Sequence, residues 1–82
     1  MERPDHSFVQ NVVGANVRKY RLERNWSQQD LSMRLQRRKT YICRGSISRI
    51  ERQERSVADY ELWTLAEVFG VSIYDLYKTE NK

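Results

Sequence analysis

The segment from Trp26 to Arg52, WSQQDLSMRLQRRKTYICRGSISRIER, constrains the fold of this chain more than any other stretch. It holds two short helical signatures joined by a basic connector. In the second, RGSISRIE, Ile47 and Ile50 stand three apart and predict an inward face, leaving Gly45, Ser46, Ser48 and Arg49 outside. One side is too polar for a core and the other too apolar for a loop. Such a pattern describes a helix anchored on a small domain and turning a cationic face outward.

Positive charge is concentrated in the same region. The chain carries a net +4, yet residues 34–55 hold eight basic side chains (Arg34, Arg37, Arg38, Lys39, Arg44, Arg49, Arg52, Arg55) against Glu51 and Glu54. Residues 56–82 are net −3. A concentrated field attracts polyanions, whereas dispersed charge only aids solubility. Seven of those eight cations are arginines, whose planar fork matches phosphate and guanine edges. A solvated charge run is the plainer alternative.

Five helices are predicted. Val9, Val13, Val17 and Tyr20 recur at three- and four-residue steps in the first, with Ser7 as its cap and Asn25 at its end. Gly14 lies within that stripe and either weakens the helix or lets a neighbour pack closely. Ser27 caps the second helix with Asp30 three residues on, Leu31 and Leu35 face inward, and Trp26 staples onto them. From Gln36 to Ile42 the residues fit a helical extension or a loop equally well. The third helix begins near Arg44, with Cys43 at its cap. A fourth runs from about Asp59 to Phe69, turning Leu62, Leu65, Ala66 and Phe69 inward, and Gly70 stops it. Ser72 and Asp75 open the fifth, whose apolar side is Ile73, Leu76 and Tyr77.

These elements predict one all-α domain over residues 8–78, a compact five-helix bundle, with a flexible leader at 1–7 and a flexible tail at 79–82. Eighty-two residues bury a modest core, so an oligomer would help. No apolar run reaches the length of a membrane span or signal peptide, which predicts a cytoplasmic protein with no membrane partner. The single Cys43 cannot form an internal disulfide. With one histidine and one cysteine no metal set exists, and no phosphate loop or paired carboxylate suggests catalysis, so no enzyme, cofactor or small-molecule substrate is expected.

The middle segment suits a DNA groove. The major groove admits one helix, and that helix's N-terminal residues come nearest the base edges. Arg44 and Arg49 have the reach for guanine O6 and N7, Gly45 permits close backbone approach, and Ser46 and Ser48 can bond to bases or phosphates or simply be solvated. Gln28 and Gln29 occupy the first turn of the second helix, where unpaired backbone amides and the dipole favour a phosphate; solubility is the alternative reason for them. Trp26, Trp63, Tyr60, Tyr74 and Tyr77 fall outside the basic segment, so core or interface use fits better than base stacking.

Taken together, the Ser-Gln opening of SQQDLSMRL, the Ile-Ser-Arg-Ile-Glu run, Arg21, and the Leu-Ala-x-x-x-Gly-Val-Ser close resemble the Cro/C1-type helix-turn-helix family, or XRE family, over about residues 13–77. The resemblance implies a lambda-repressor-like DNA-binding domain that regulates transcription, as repressor or autoregulator, by binding double-stranded DNA at a palindromic operator as a homodimer. It implies that Gln28 touches phosphate and braces the reader helix, and that Arg44 and Arg49 read bases with Gly45 and Ser46 between them. Arg52 and Arg55 match a phosphate-facing turn, and Arg21 and Glu51 a partly buried ion pair.

One departure stands out. Eleven residues separate Leu35 from Ile47, more than in the common family form, and the surplus around Arg37–Tyr41 is mostly cationic. The tight turn is therefore expected to give way to a longer connector, as in one branch of the family, with Arg37, Arg38 and Lys39 extending the phosphate footprint. Trp63, Val71, Tyr74 and Tyr77 are surplus to the core and form the expected dimer interface. The long connector and these aromatics also suit a protein-interaction module, such as the antitoxin partner of a toxin pair.

Overall fold

The computed structural model describes the backbone of residues 6–78 and the side chains of residues 12–78. Five helices follow one another: α1 (His6–Glu23), α2 (Gln28–Arg37), α3 (Arg44–Glu51), α4 (Asp59–Phe69) and α5 (Ile73–Tyr77). There is no strand among the described residues. Because α1 begins at His6, Ser7, expected as its cap, stands inside the first turn; of the expected leader 1–7, residues 1–5 lie outside the described residues, as does the tail 79–82.

Local chemistry sets the helix ends. Ser27 Oγ accepts the Asp30 amide at 2.9 Å, and the Asp30 carboxylate accepts the Ser27 amide at 2.9 Å, closing a reciprocal box before α2. Ser72 and Asp75 repeat it before α5 at 3.1 and 3.0 Å. No serine opens α4; there the Glu61 carboxylate reaches back to the Ala58 amide at 2.9 Å. Gly70 ends α4 in the left-handed conformation with φ 73°, and Asn25 turns the chain out of α1 with φ 59°.

Val17, Leu31, Leu35, Ile47, Ile50, Leu62, Leu65 and Phe69 are buried together as expected, joined by Val13, Ala66 and Leu76. Tyr20, expected in the core, is only half-buried at its edge, its ring 5.6 Å from that of Phe69. Trp26 stacks on Phe69 at 6.0 Å. The buried Asn16 amide donates to the carbonyls of Leu76 and Lys78, both at 2.8 Å, and so ties the last turn of α5 to α1.

The connector Arg38–Cys43 is a built piece of structure. Its helical option stops at Arg37, because Lys39 adopts φ 68° and Thr40 turns back to donate its amide to the Leu35 carbonyl at 3.1 Å. Thr40 is buried, with its hydroxyl 2.8 Å from that of Thr64. Thr64 donates to the Tyr60 carbonyl at 3.0 Å, so Thr40 supplies the hydrogen between the two threonines. Ile42 fills the core, and the Ser32 hydroxyl donates to its carbonyl at 2.7 Å. The tight turn is thus replaced by six residues pinned to α2 and α4.

Candidate nucleic-acid interface

The inner face of α3 is Ile47, Ile50 and Glu51, all buried. Burying two isoleucines in so short a helix contributes roughly 1.5–3 kcal/mol each, and fixes which face turns outward. That outward face carries Arg44, Gly45 and Arg49, all exposed, with Ser46 and Ser48 half-buried at its edges. Nothing lies within 4 Å of where a Gly45 Cβ would sit, so the first turn of α3 has open space in front of it. Cys43 holds the cap position without a side-chain cap bond. Its exposed thiol donates to Ser46 Oγ at 3.5 Å, and the Ser46 hydroxyl, able to turn and donate to the thiolate, keeps the group below the ordinary thiol range.

A polar brace holds α3 from behind. The Arg21 guanidinium donates from Nε to Glu51 Oε2 at 2.7 Å and from Nη2 to Oε1 at 3.0 Å, while Nη1 donates to the Trp26 carbonyl at 2.7 Å. Gln28 Nε2 donates to the same Glu51 Oε1 at 3.1 Å. Three helices meet at one carboxylate: the end of α1, the first turn of α2 and the end of α3. The fork-to-fork hydrogen bonds with Glu51 hold Arg21 above the ordinary arginine range. Gln28 therefore braces α3 by contact, and the exposed Gln29 stands beside it.

The flanking cations divide. Arg52 is exposed after α3 and pairs with Glu54 at 3.3 Å. Arg55 instead folds back: Nη1 and Nη2 donate to the two Glu61 oxygens at 3.0 and 2.9 Å, and Nη1 also to the Ser56 carbonyl at 3.0 Å. The Arg55 guanidinium holds the Glu61 carboxyl below the usual carboxylate range. Lys39 lies with Met33, Gln36, Arg37 and Tyr41 around a shallow hollow on the connector side. Arg38 turns to α4, with Nη1 3.6 Å from Glu67.

Opposite in character is the surface of α4 and α5. Trp63, Tyr74 and Tyr77 are 61%, 71% and 41% exposed. Trp63, Ala66, Glu67, Val71 and Ile73 line a largely apolar groove of about 300 Å³. Ile73, expected on the apolar side of α5, also lines this groove. Among the described residues, no helix is long and apolar enough to cross a membrane.

Three residues that shape the site carry weak sequence signals. Thr40 and Ile42 anchor the connector from within a cationic stretch that has no period. Gly14 fits either a weakened helix or a close approach, and the structure decides for the second: a Cβ there would overlap the Ile50 carbonyl oxygen of α3.

Comparison with known proteins places this geometry. Residues 17–76 match the family model described as helix-turn-helix (HTH_3). A curated relative, a Neisseria hypothetical transcription factor from Neisseria meningitidis serogroup B, is 29% identical over 75 residues, which cover 92% of this chain and 66% of that protein. The chain therefore spans just under two thirds of that relative's length. Among solved structures, the crystal structure of hypothetical transcription factor NHTF from Neisseria superposes with a TM-score of 0.78 at 26% identity, over 98% of this chain and 86% of that one.

Proposed function

Because the chain belongs to the Cro/C1-type, or XRE, helix-turn-helix family, we propose that it is a transcription regulator that binds double-stranded DNA sequence-specifically through α3. The observation that carries this reading is the division of α3 into a buried isoleucine face and an exposed face bearing Arg44, Gly45 and Arg49. A cationic field over residues 34–55 draws the duplex in, and Arg44 and Arg49 then meet guanine edges, with Gly45 and Ser46 allowing close approach. Gln28, Gln29, Lys39, Ser48 and Arg52 take phosphates and fix the register. Arg37, Arg38 and Arg55 add to the field, the latter two while holding carboxylate partners.

Self-association through Trp63, Val71, Tyr74 and Tyr77 is the second part of the proposal. Exposed aromatics around an apolar groove support it, and a two-fold pair of reader helices calls for a palindromic operator. Occlusion of a promoter by the bound domain is the proposed mode of action, which makes repression or autoregulation the proposed direction, in the cytoplasm.

Selection of bound duplexes from a random pool tests the reading. A palindromic consensus is expected. Arg49→Ala should then cost on the order of 1–3 kcal/mol and relax preference at one position per half-site. Equal loss on consensus and random duplexes would remove the base-reading role. Sedimentation at micromolar concentration should give a dimer, and a monomer throughout would end that part.

A further inference from the structure

The cations of α2 do not all serve the face that α3 presents. Gln28 and Ser32 point toward α3 and its connector, through their bonds to Glu51 and the Ile42 carbonyl. Arg34 and Arg38 lie roughly 120° further round the helix, at 3.6 residues per turn. There Arg34 sits 4.0 Å over the Trp26 ring and Arg38 meets Glu67 of α4. With Arg37 and Val68 they line a pocket of about 340 Å³ between α2 and α4.

Three arginines thus line one pocket, with Arg38 beside Glu67 and Arg34 within electrostatic reach of Asp30, so the cations outnumber the carboxylates near them. Glu67 Oε1 faces Arg38, and its other oxygen receives the Trp63 indole N–H at 3.2 Å. The pocket keeps unbalanced positive charge, with Val68 as an apolar wall. Like charges gathered in a concavity repel, and an anion bound among them relieves that cost. The negative end of the α2 dipole explains why cations are favoured in its last turn. It does not explain their convergence with Val68 around one cavity. Arginine forks match phosphate oxygens two at a time, and the volume lies within the range of small-ligand sites.

We propose that this pocket binds a small phosphate-bearing anion, at a site separate from the reader helix and independent of whether α3 reads DNA. Titration calorimetry with inorganic pyrophosphate, ionic strength matched with chloride, tests it. One saturable site per chain is expected. Arg37→Gln/Arg38→Gln should weaken it by at least about tenfold, the loss of two charge-assisted contacts. Glu67→Gln should tighten it by about two- to fivefold by removing the competing surface carboxylate. Arg44→Gln/Arg49→Gln should leave it unchanged while abolishing operator preference, which separates this site from the DNA reading.

Absence of saturable binding would overturn the proposal. So would equal losses in the two double variants, which would put the anion at α3. The salt dependence of operator binding supplies a further arm. The Arg37/Arg38 variant, which loses part of the long-range field but no phosphate contact, should lower the slope by less than about one; a slope lower by about two would make these residues duplex contacts and remove the pocket as a site for a free anion.

Discussion

Gly14 of α1 lies directly against the Ile50 carbonyl of α3, at a separation that leaves no room for a side chain. The neighbour is backbone, so it cannot swing aside. Gly14→Ala should push α3 away from α1 and cost about 1–3 kcal/mol by overpacking. Since α3 is the element displaced, duplex affinity should fall as well. Gly45 gives the opposite sign. Its Cβ would meet nothing within 4 Å, so Gly45→Ala should raise stability by about 0.5–1 kcal/mol, the helical penalty of glycine. It should nevertheless weaken duplex binding if the backbone approaches a groove there. Thermal melts and fluorescence anisotropy on both variants measure the four outcomes.

The brace at Glu51 predicts a second pattern. The Arg21 and Glu51 side chains are 9% and 3% exposed, so either charge left alone would be stranded in the interior. Glu51→Ala should cost about 3–5 kcal/mol, and Arg21→Met a similar amount. Arg21→Met/Glu51→Leu should recover much of that loss, because two apolar groups leave no unpaired charge. Urea unfolding of the three variants forms the cycle. Simple addition of the single losses would show that the pair does not act as a unit.

Acid stability should report on Glu61. Hydrogen bonds from Arg55 lower its folded pKa below the ordinary value of about 4.5, and its side chain is only 5% exposed. A carboxyl whose pKa falls on folding stabilises the native state in full above its unfolded value. That contribution disappears as pH drops from about 4.5 through the lower folded value. Asp30 and Asp75, lowered by the Ser27 and Ser72 backbone amides, act in the same direction. The melting temperature should therefore decline with acidification below about pH 4.5, and Glu61→Gln should start lower at neutral pH and decline less steeply. Parallel profiles for the two proteins would contradict the assignment.

What the sequence made legible was mostly short in range. Ser27 with Asp30, Ser72 with Asp75, the glycine at the end of α4, and the isoleucine pair of α3 all declare themselves within a few residues. Each rests on helix geometry alone. The partnership of Arg21 with Glu51 spans 30 positions and was reachable only through family resemblance. Asn16 was not foreseen, because its partners are carbonyls of α5 some 60 residues away. Nor were Thr40 and Ile42, whose burial depends on where α4 passes. Arg55 reads as one more cation in a run of cations. Its carboxylate partner becomes visible only when the chain after α3 turns back onto the start of α4.

Lys39 joins backbone strain to function at one position. Its φ of 68° ends α2 and starts the connector, a conformation that costs a residue with a Cβ roughly 1–2 kcal/mol. Asparagine tolerates this region better, since its short polar side chain can bond locally. Lys39→Asn should therefore stabilise the fold modestly, by about 0.5–1 kcal/mol, since asparagine relieves only part of the 1–2 kcal/mol left-handed penalty. The same change removes a cation proposed to meet a phosphate. It should lower the salt slope of operator binding by about one and weaken all sequences alike. Chemical unfolding and anisotropy across a salt series separate the two effects. A gain in stability with an unchanged slope would assign Lys39 to the turn alone, and a loss of stability would show that its side chain holds the connector in place.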